Sequence, residues 1–162
     1  GGSGRIVASD GTSPAVLVRT GNVTCSGGGT GTPRQADLVV EEGSVTVISG
    51  CRITGNVWAR DGVTISGNSN ITGNVVGSSL NFGGTAVIGG SAWIRGNSAI
   101  DNAGGNLISG NLTTRTRSGS GNLGSIVRGT TSITSPADPG PSPFTKPTVP
   151  DWVDVAYDPA DW

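Results

Sequence analysis

The chain has 162 residues, among them 29 Gly, 9 Pro and 2 Cys, with 33% apolar residues, 13% charged residues and a formal net charge of −1. That length suits one domain, and a charge fraction about half the roughly 25% of an average globular chain is too low to hold a disordered chain open. A near-neutral balance with dispersed arginines leaves no electrostatic footprint for nucleic acid or an anionic membrane, and no apolar run approaches the roughly 18 residues of a membrane helix.

Gly1-Gly2-Ser3-Gly4 reads as a linker or an expression scar, and no signal peptide follows it; whether an upstream targeting or anchoring segment has been removed is left open. Within residues 5 to 25, Ala15 to Val18 and Val23 to Cys25 are short apolar stretches that predict a first, incomplete turn of structure. Ser26 to Gln35 reads as a loop at a corner, and its Gly27 to Gly31 run lacks the Lys of a phosphate-binding loop. Cys25 and Cys51 suit either one disulfide of a secreted domain or two buried thiols.

From Leu38 to Ile100 an internal repeat decides the fold class. Ile53-Thr54-Gly55-Asn56-Val57 recurs eighteen positions on as Ile71-Thr72-Gly73-Asn74-Val75. Inside it runs a period of six, in which apolar pairs at i and i+2 follow Gly-containing turns: Val45/Val47, Cys51/Ile53, Val57/Ala59, Val63/Ile65 and Ser69/Ile71. After a one-residue slip come Leu80/Phe82, Ala86/Ile88, Ala92/Ile94 and Ser98/Ile100. Residues i and i+2 share one face of a strand. Three short strands per 17 or 18 residues therefore predict an all-β fold, a three-sided parallel β-helix. Its expected inward columns are Val39, Val57, Val75, Ala92; Val45, Val63, Leu80, Ser98; and Cys51, Ser69, Ala86. Glu41 then falls inward beside Val39, so the coil is expected to be irregular before Val45. No 3.6-residue stripe appears, and a Gly every five to seven residues would cost a helix about 1 kcal/mol each.

The two Ile-Thr-Gly-Asn-Val copies and Val63-Thr64-Ile65-Ser66-Gly67-Asn68 make this block resemble the bactofilins, the polymer-forming cytoskeletal family, and equally the β-helix domains of pilin-associated bacterial surface proteins. The resemblance covers about 40% of the chain. It implies a right-handed coil and filaments built by end-to-end stacking; the Pro-rich tail and the Gly-rich insert depart from the family pattern.

Beyond Asp101 the repeat decays. Leu107-Ile108, Leu112, Leu123 and Ile126-Val127 predict one or two more turns, with residues 114 to 122 as a mobile polar loop. The β-helix domain is thus read as residues 5–135, with its clearest repeats at 38–100, and residues 136–162 as a Pro-rich, acidic and aromatic tail. The proline-rich stretch from Ser135 to Pro150 is expected to run extended without donating to a ladder. The open ends of a coil need covers, so the tail is expected either to cap an end or to lie along a side. Val40, Trp58, Val76 and Trp93 are expected in one outward column, an apolar stripe that left bare would associate. Packing of Trp152, Tyr157 and Trp162 over that stripe is the favoured reading, and a binding surface for sugar or a second subunit is its rival.

Little catalytic chemistry is available. The chain has no His, which removes the commonest general base and metal ligand. Glu41, Glu42 and Asp61 are the candidate acidic cluster for sugar cleavage, and read better as solvated corner residues. Asp151, Asp154, Asp158 and Asp161 lack the Gly-containing pattern of a calcium loop. The Asn-x-Thr triplets at Asn22, Asn70 and Asn111 read as turn chemistry. The outward column Thr46, Thr64, Asn81, Ala99 supplies one hydroxyl per coil and then fails, a poor match to an ice-binding face. The sequence thus points to a non-catalytic structural or scaffold module without catalytic residues, cofactor or metal. It is expected at a bacterial cell surface or in a filament or pilus, with a cytoplasmic location as the alternative. Its expected partners are copies of itself or other surface proteins. A carbohydrate-binding or carbohydrate-cleaving β-helix, with Trp58 and Trp93 as stacking platforms, is the alternative function.

Overall fold

A computed structural model describes residues 14–27, 34–35, 37–101 and 104–147. The chain winds as a parallel β-solenoid of about six turns. The first coil holds β1 (Val16–Thr20), β2 (Val23–Ser26) and β3 (Arg34–Gln35), and the second β4 (Leu38–Glu42), β5 (Ser44–Ile48) and β6 (Arg52–Thr54). The third holds β7 (Val57–Ala59), β8 (Gly62–Ile65) and β9 (Asn70–Ile71), and the fourth β10 (Val75–Gly77), β11 (Leu80–Phe82) and β12 (Val87–Ile88). In the fifth, β13 (Ala92–Ile100) bends across two walls and is followed by β14 (Leu107–Ile108). The sixth has β15 (Leu112–Ser118), a single turn of helix α1 (Leu123–Ile126) and Val127, which bridges Ile108; β16 (Thr131–Ile133) begins the next coil.

Every strand pairing is parallel, and each strand lies over its counterpart one coil earlier. Three walls result. The first stacks β1, β4, β7, β10, the starts of β13 and β15, and β16; the second stacks β2, β5, β8, β11 and the ends of β13 and β15; the third stacks β3, β6, β9, β12 and β14. The second wall carries the expected columns, Val45–Val63–Leu80–Ser98 and Val47–Ile65–Phe82–Ile100, and the third carries Ile53–Ile71–Ile88–Ile108. Nearly all of these side chains are fully buried. They form a narrow apolar core that runs the length of the coil, because inward residues recur at period two while the backbone polar groups are consumed by the coils above and below.

The first wall departs from the expected register in the second coil. Leu38, not Val39, lies over Val57, and Val40 lies over Ala59, while Ser44 already lies over Gly62. The extra residue therefore sits at the corner Glu41–Gly43, where Gly43 has φ +140° and the chain needs a left-handed turn that suits glycine. With Leu38 and Val40 inward, the alternation turns Glu41 out, which resolves its expected inward placement. The slip read from the sequence between the third and fourth coils falls at the same corner, since Ala59 pairs with Gly77 but Val63 with Leu80.

The Gly-Asn corner before the first wall explains the repeated pentapeptide. Gly73 donates to the carbonyl of Gly55, Gly90 to Gly73, Gly110 to Gly90 and Gly129 to Gly110, at 2.8–3.0 Å. A Cβ on Gly73 would lie 2.4 Å from the Gly55 oxygen, so only glycine permits this stacking. Beside it runs a side-chain ladder. Asp37 Oδ1 accepts from Asn56 N at 2.7 Å, Asn56 Oδ1 from Asn74 N at 2.8 Å, Asn74 Oδ1 from Ser91 N at 2.9 Å, Ser91 Oγ from Asn111 N at 2.9 Å and Asn111 Oδ1 from Thr130 N at 2.8 Å.

Residues 114 to 118 are not a loop. They belong to β15, which pairs with β13 through a register shift between Ile94 and Asn97. Polar side chains build this strand: buried Thr114 accepts from the Ser98 hydroxyl at 3.0 Å, and Thr116 donates to Asn97 at 3.1 Å. Likewise Ser26 ends β2 and Arg34–Gln35 form β3, so strand structure occupies both ends of the expected Ser26–Gln35 loop. At the C-terminal end of the core, buried Ile126 and Val127 close the coil. At the other end, Val16, Val18, Val23 and Cys25 pack on the core but are only partly buried.

Candidate interaction surface on the first wall

The outward positions of the first wall follow directly from its register. They read Leu17, Val39, Trp58, Val76, Trp93, Thr113, Ser132 from the first coil to the last. The expected stripe of Val40, Trp58, Val76 and Trp93 is thus corrected at one member: Val40 faces the core and Val39 takes its outward place. The cause is the additional residue at Glu41–Gly43. The stripe is apolar through five coils and turns polar at Thr113 and Ser132.

Although they point outward, Val39 is only 1% exposed and Trp58 only 7%. The C-terminal tail crosses this wall. After β16, Thr134 N and Ser135 N donate to the carbonyls of Thr114 and Arg115, so the ladder runs on to Ser135, the first residue of the stretch expected not to donate. The chain then turns at residues 134–137, with a cis peptide at Ser135–Pro136. Asp138 reaches Arg95 at 3.5 Å, the Gly140 carbonyl accepts from Trp93 Nε1 at 3.3 Å, and Lys146 meets Glu41 at 3.8 Å. Residues 138–146 therefore form a strap that runs backward from the fifth coil to the second. Proline and glycine suit the task, because a strap that makes few ladder bonds needs no regular donors.

A groove of about 450 Å³ remains along this wall, lined by Val39, Trp58, Val76, Arg60, Arg95 and Lys146. Its cations are each matched by an acid: Arg60 pairs with Glu42 at 3.1 Å, Arg95 with Asp138 and Lys146 with Glu41. All three pairs are substantially exposed, which limits their worth to a fraction of a kcal/mol. The Asp138 carboxyl is held below its ordinary value, first by the Gly140 N–H it accepts and then by Arg95. Trp58 Nε1 is buried and has no hydrogen-bond partner.

These facts bear on each candidate residue. Trp58 offers no open ring face for stacking a sugar, and the indole N–H of Trp93 is already engaged by the strap. Glu41 and Glu42 are paired with cations, and Asp61 lies exposed at a corner where its N–H donates to the Gly43 carbonyl at 3.1 Å. The acidic cluster is thus distributed among ion pairs and turns. Among the described residues no group of three or more His, Cys, Asp or Glu side chains comes together. The tail residues Trp152, Tyr157 and Trp162 and the acids Asp151, Asp154, Asp158 and Asp161 lie outside the described residues, as do Gly28 to Gly31. Cys25 and Cys51 are joined by a disulfide that ties the second wall of the first coil to the corner before β6, with Cα atoms 5.9 Å apart. The outward column Thr24, Thr46, Thr64, Asn81, Ala99, Ser118 lies in register on the second wall.

Arg95, Asp138, Gly140 and the Glu41–Lys146 pair are the contacts that the sequence did not single out. Arg95 carried one signal, as the only charged residue between Gly62 and Ile100. No family model, curated protein or solved structure matches the chain.

Proposed function

We propose that this chain is a non-catalytic structural module, a rigid β-solenoid rod that works as a scaffold at a bacterial cell surface or in a filament- or pilus-associated assembly. The observation that carries this reading is the mainly apolar core that runs from coil to coil. Columns such as Val47–Ile65–Phe82–Ile100 continue coil upon coil, so the coil is stiff along its axis. The disulfide between Cys25 and Cys51 supports a location in an oxidising compartment. The likeness of the Leu38–Ile100 repeat to bactofilins and to pilin-associated β-helices favours self-association or assembly with other surface proteins over small-molecule chemistry. Negative-stain microscopy of the purified chain, read beside a glycan array, is the test. Ordered rods or filaments without glycan binding are the expected result. A chain that stays monomeric at every concentration and binds a defined oligosaccharide would overturn the proposal in favour of a carbohydrate-binding β-helix.

A further inference from the structure

Trp58 and Trp93 occupy the same outward column of the first wall, with Val76 between them, yet their indole N–H groups fare differently. The strap answers Trp93, whose Nε1 donates to the Gly140 carbonyl at 3.3 Å. Trp58 is only 7% exposed, and its Nε1 is buried with no hydrogen-bond partner. A buried donor left unanswered is costly, so the position calls for an oxygen acceptor that the strap does not supply.

Trp58 lines the groove of about 450 Å³ on this wall, a volume within the range of small-molecule pockets, which join an apolar lining to a few convergent polar groups. The floor is apolar, made by Val39, Trp58 and Val76, and the rim carries three cations, Arg60, Arg95 and Lys146, against one acid, Glu41. These cations are paired but not saturated. Arg60 gives Nη1 to Glu42 and Arg95 gives Nη2 to Asp138, whereas a guanidinium offers five donors in a fork. Lys146 stands 3.8 Å from Glu41, beyond hydrogen-bond length, so that acid does not take its ammonium donors. Arg60 N donates to the Val40 carbonyl, which sets Arg60 over Glu41. Arg60, Glu41 and Lys146 therefore gather at the Trp58 end of the groove, and Arg95, two coils beyond Arg60, marks the other end.

We propose that this groove binds a small organic acid, a carboxylate carried on an apolar body. One carboxylate oxygen accepts from Trp58 Nε1, the Arg60 guanidinium and the Lys146 ammonium hold the charge, and the apolar body lies along Val76 toward Arg95. Binding draws Lys146 from Glu41 to the ligand. The Trp58 N–H is covered while the strap is seated, and the strap, held by exposed ion pairs that are individually weak, lifts to admit the acid. The charge at the rim selects a carboxylate over a neutral carbonyl, and the floor selects an acid with a body over a bare anion. The inference goes beyond the scaffold reading and does not rest on it.

Heteronuclear NMR of the full chain tests the site, with hexanoate as the probe. Acetate supplies the charge without the body, and hexanol the body without the charge. The reporter is the Trp58 indole N–H resonance, assigned by its absence in Trp58→Phe. The expected result is a saturable shift of that resonance with hexanoate, at an affinity at least about tenfold above those of acetate and hexanol. Arg60→Gln/Lys146→Gln should weaken hexanoate binding by about tenfold or more. Both side chains are about half exposed or more, so this variant should keep its fold, which an unchanged urea midpoint verifies. No saturable shift with hexanoate would overturn the proposal. An equal response to acetate would mean an adventitious ion only, and an equal response to hexanol an apolar crevice with no anion site. Hexanoate binding unaltered in the double variant would place the charge elsewhere. Each of these outcomes sinks the proposal.

Discussion

The fourth coil and the strap that crosses its outer face are built from one chain by opposite means. In the coil each inward side chain touches apolar neighbours above, below and across, and Val75, Leu80, Phe82 and Ile88 are essentially fully buried. Such contacts add because each coil is the template for the next. The strap has no ladder of its own. It is held by one indole-to-carbonyl bond, two exposed ion pairs and whatever apolar area it covers on Val39, Trp58 and Val76. The difference teaches that a solenoid concentrates its stability on the inside of its walls, and that the outside is where a reversible attachment can be placed.

Truncation inside the coil is expected to have the largest effect. Phe82 is the bulkiest of the fully buried side chains, and no cavity of that size can collapse while coils on both sides hold the backbone in register. Phe82→Ala should cost about 3–5 kcal/mol, read as a fall in the urea midpoint at constant slope. Phe144 in the strap is half-buried, and Phe144→Ala should move the midpoint by a small fraction of that. Equal losses from the two would erase the distinction between core and strap.

The disulfide stands between these extremes, because it joins the thinly covered first coil to the well-packed second. It closes a chain segment with a sequence separation of 26, for which restriction of the unfolded chain gives about 3–4 kcal/mol. Reduction with dithiothreitol should therefore lower the urea midpoint substantially. Hydrogen exchange under reducing conditions should show the loss concentrated in β1 and β2, while β8 and β11 stay protected. Uniform loss across all coils would mean that the first coil is as cooperative as the rest.

Legibility in the sequence follows the same division. The three walls and the columns of the second and third walls could be read directly, since Val45, Val63 and Leu80 repeat a pattern that only a strand's period of two produces. The first wall was misread by one residue at Val39, because the spacing of eighteen was carried back across Glu41–Gly43 and a corner insertion leaves no apolar mark. Residues 114–118 read as a loop because Thr-Thr-Arg-Thr-Arg has no apolar alternation; the strand forms because β13 offers a backbone edge and Ser98 and Asn97 offer polar partners for Thr114 and Thr116. The outer stripe was visible as Trp58, Val76 and Trp93, but the strap's anchors were not. Asp138, Gly140 and Lys146 meet residues more than forty positions away in the first two cases and about a hundred in the third, through contacts that no local spacing encodes.

The smallest expected effect isolates one strap anchor by pH. Asp138 accepts the Gly140 N–H at 2.8 Å and faces Arg95, and its carboxyl is held below the ordinary 3.8, first by that N–H and then by Arg95 and Arg115, against an opposing effect of desolvation. A depressed carboxyl means that the folded chain favours the charged form. Its contribution is therefore complete well above pH 3.8 and is lost as the pH falls through the lower folded value. The indole N–H of Trp93, bonded to Gly140, is the local reporter. Its proton resonance should hold steady through the ordinary carboxylate range and shift toward an unbonded position only below it, as Asp138 is protonated. Asp138→Asn keeps an acceptor for Gly140 N but removes the charge that draws Arg95, so the acid step in the Trp93 signal should vanish while the urea midpoint at neutral pH barely moves. A Trp93 transition that persists unchanged in the Asn variant would assign the acid step to another group, whereas no acid step in the unaltered chain would show a strap seated by its apolar contacts alone, closer in kind to the coil it crosses.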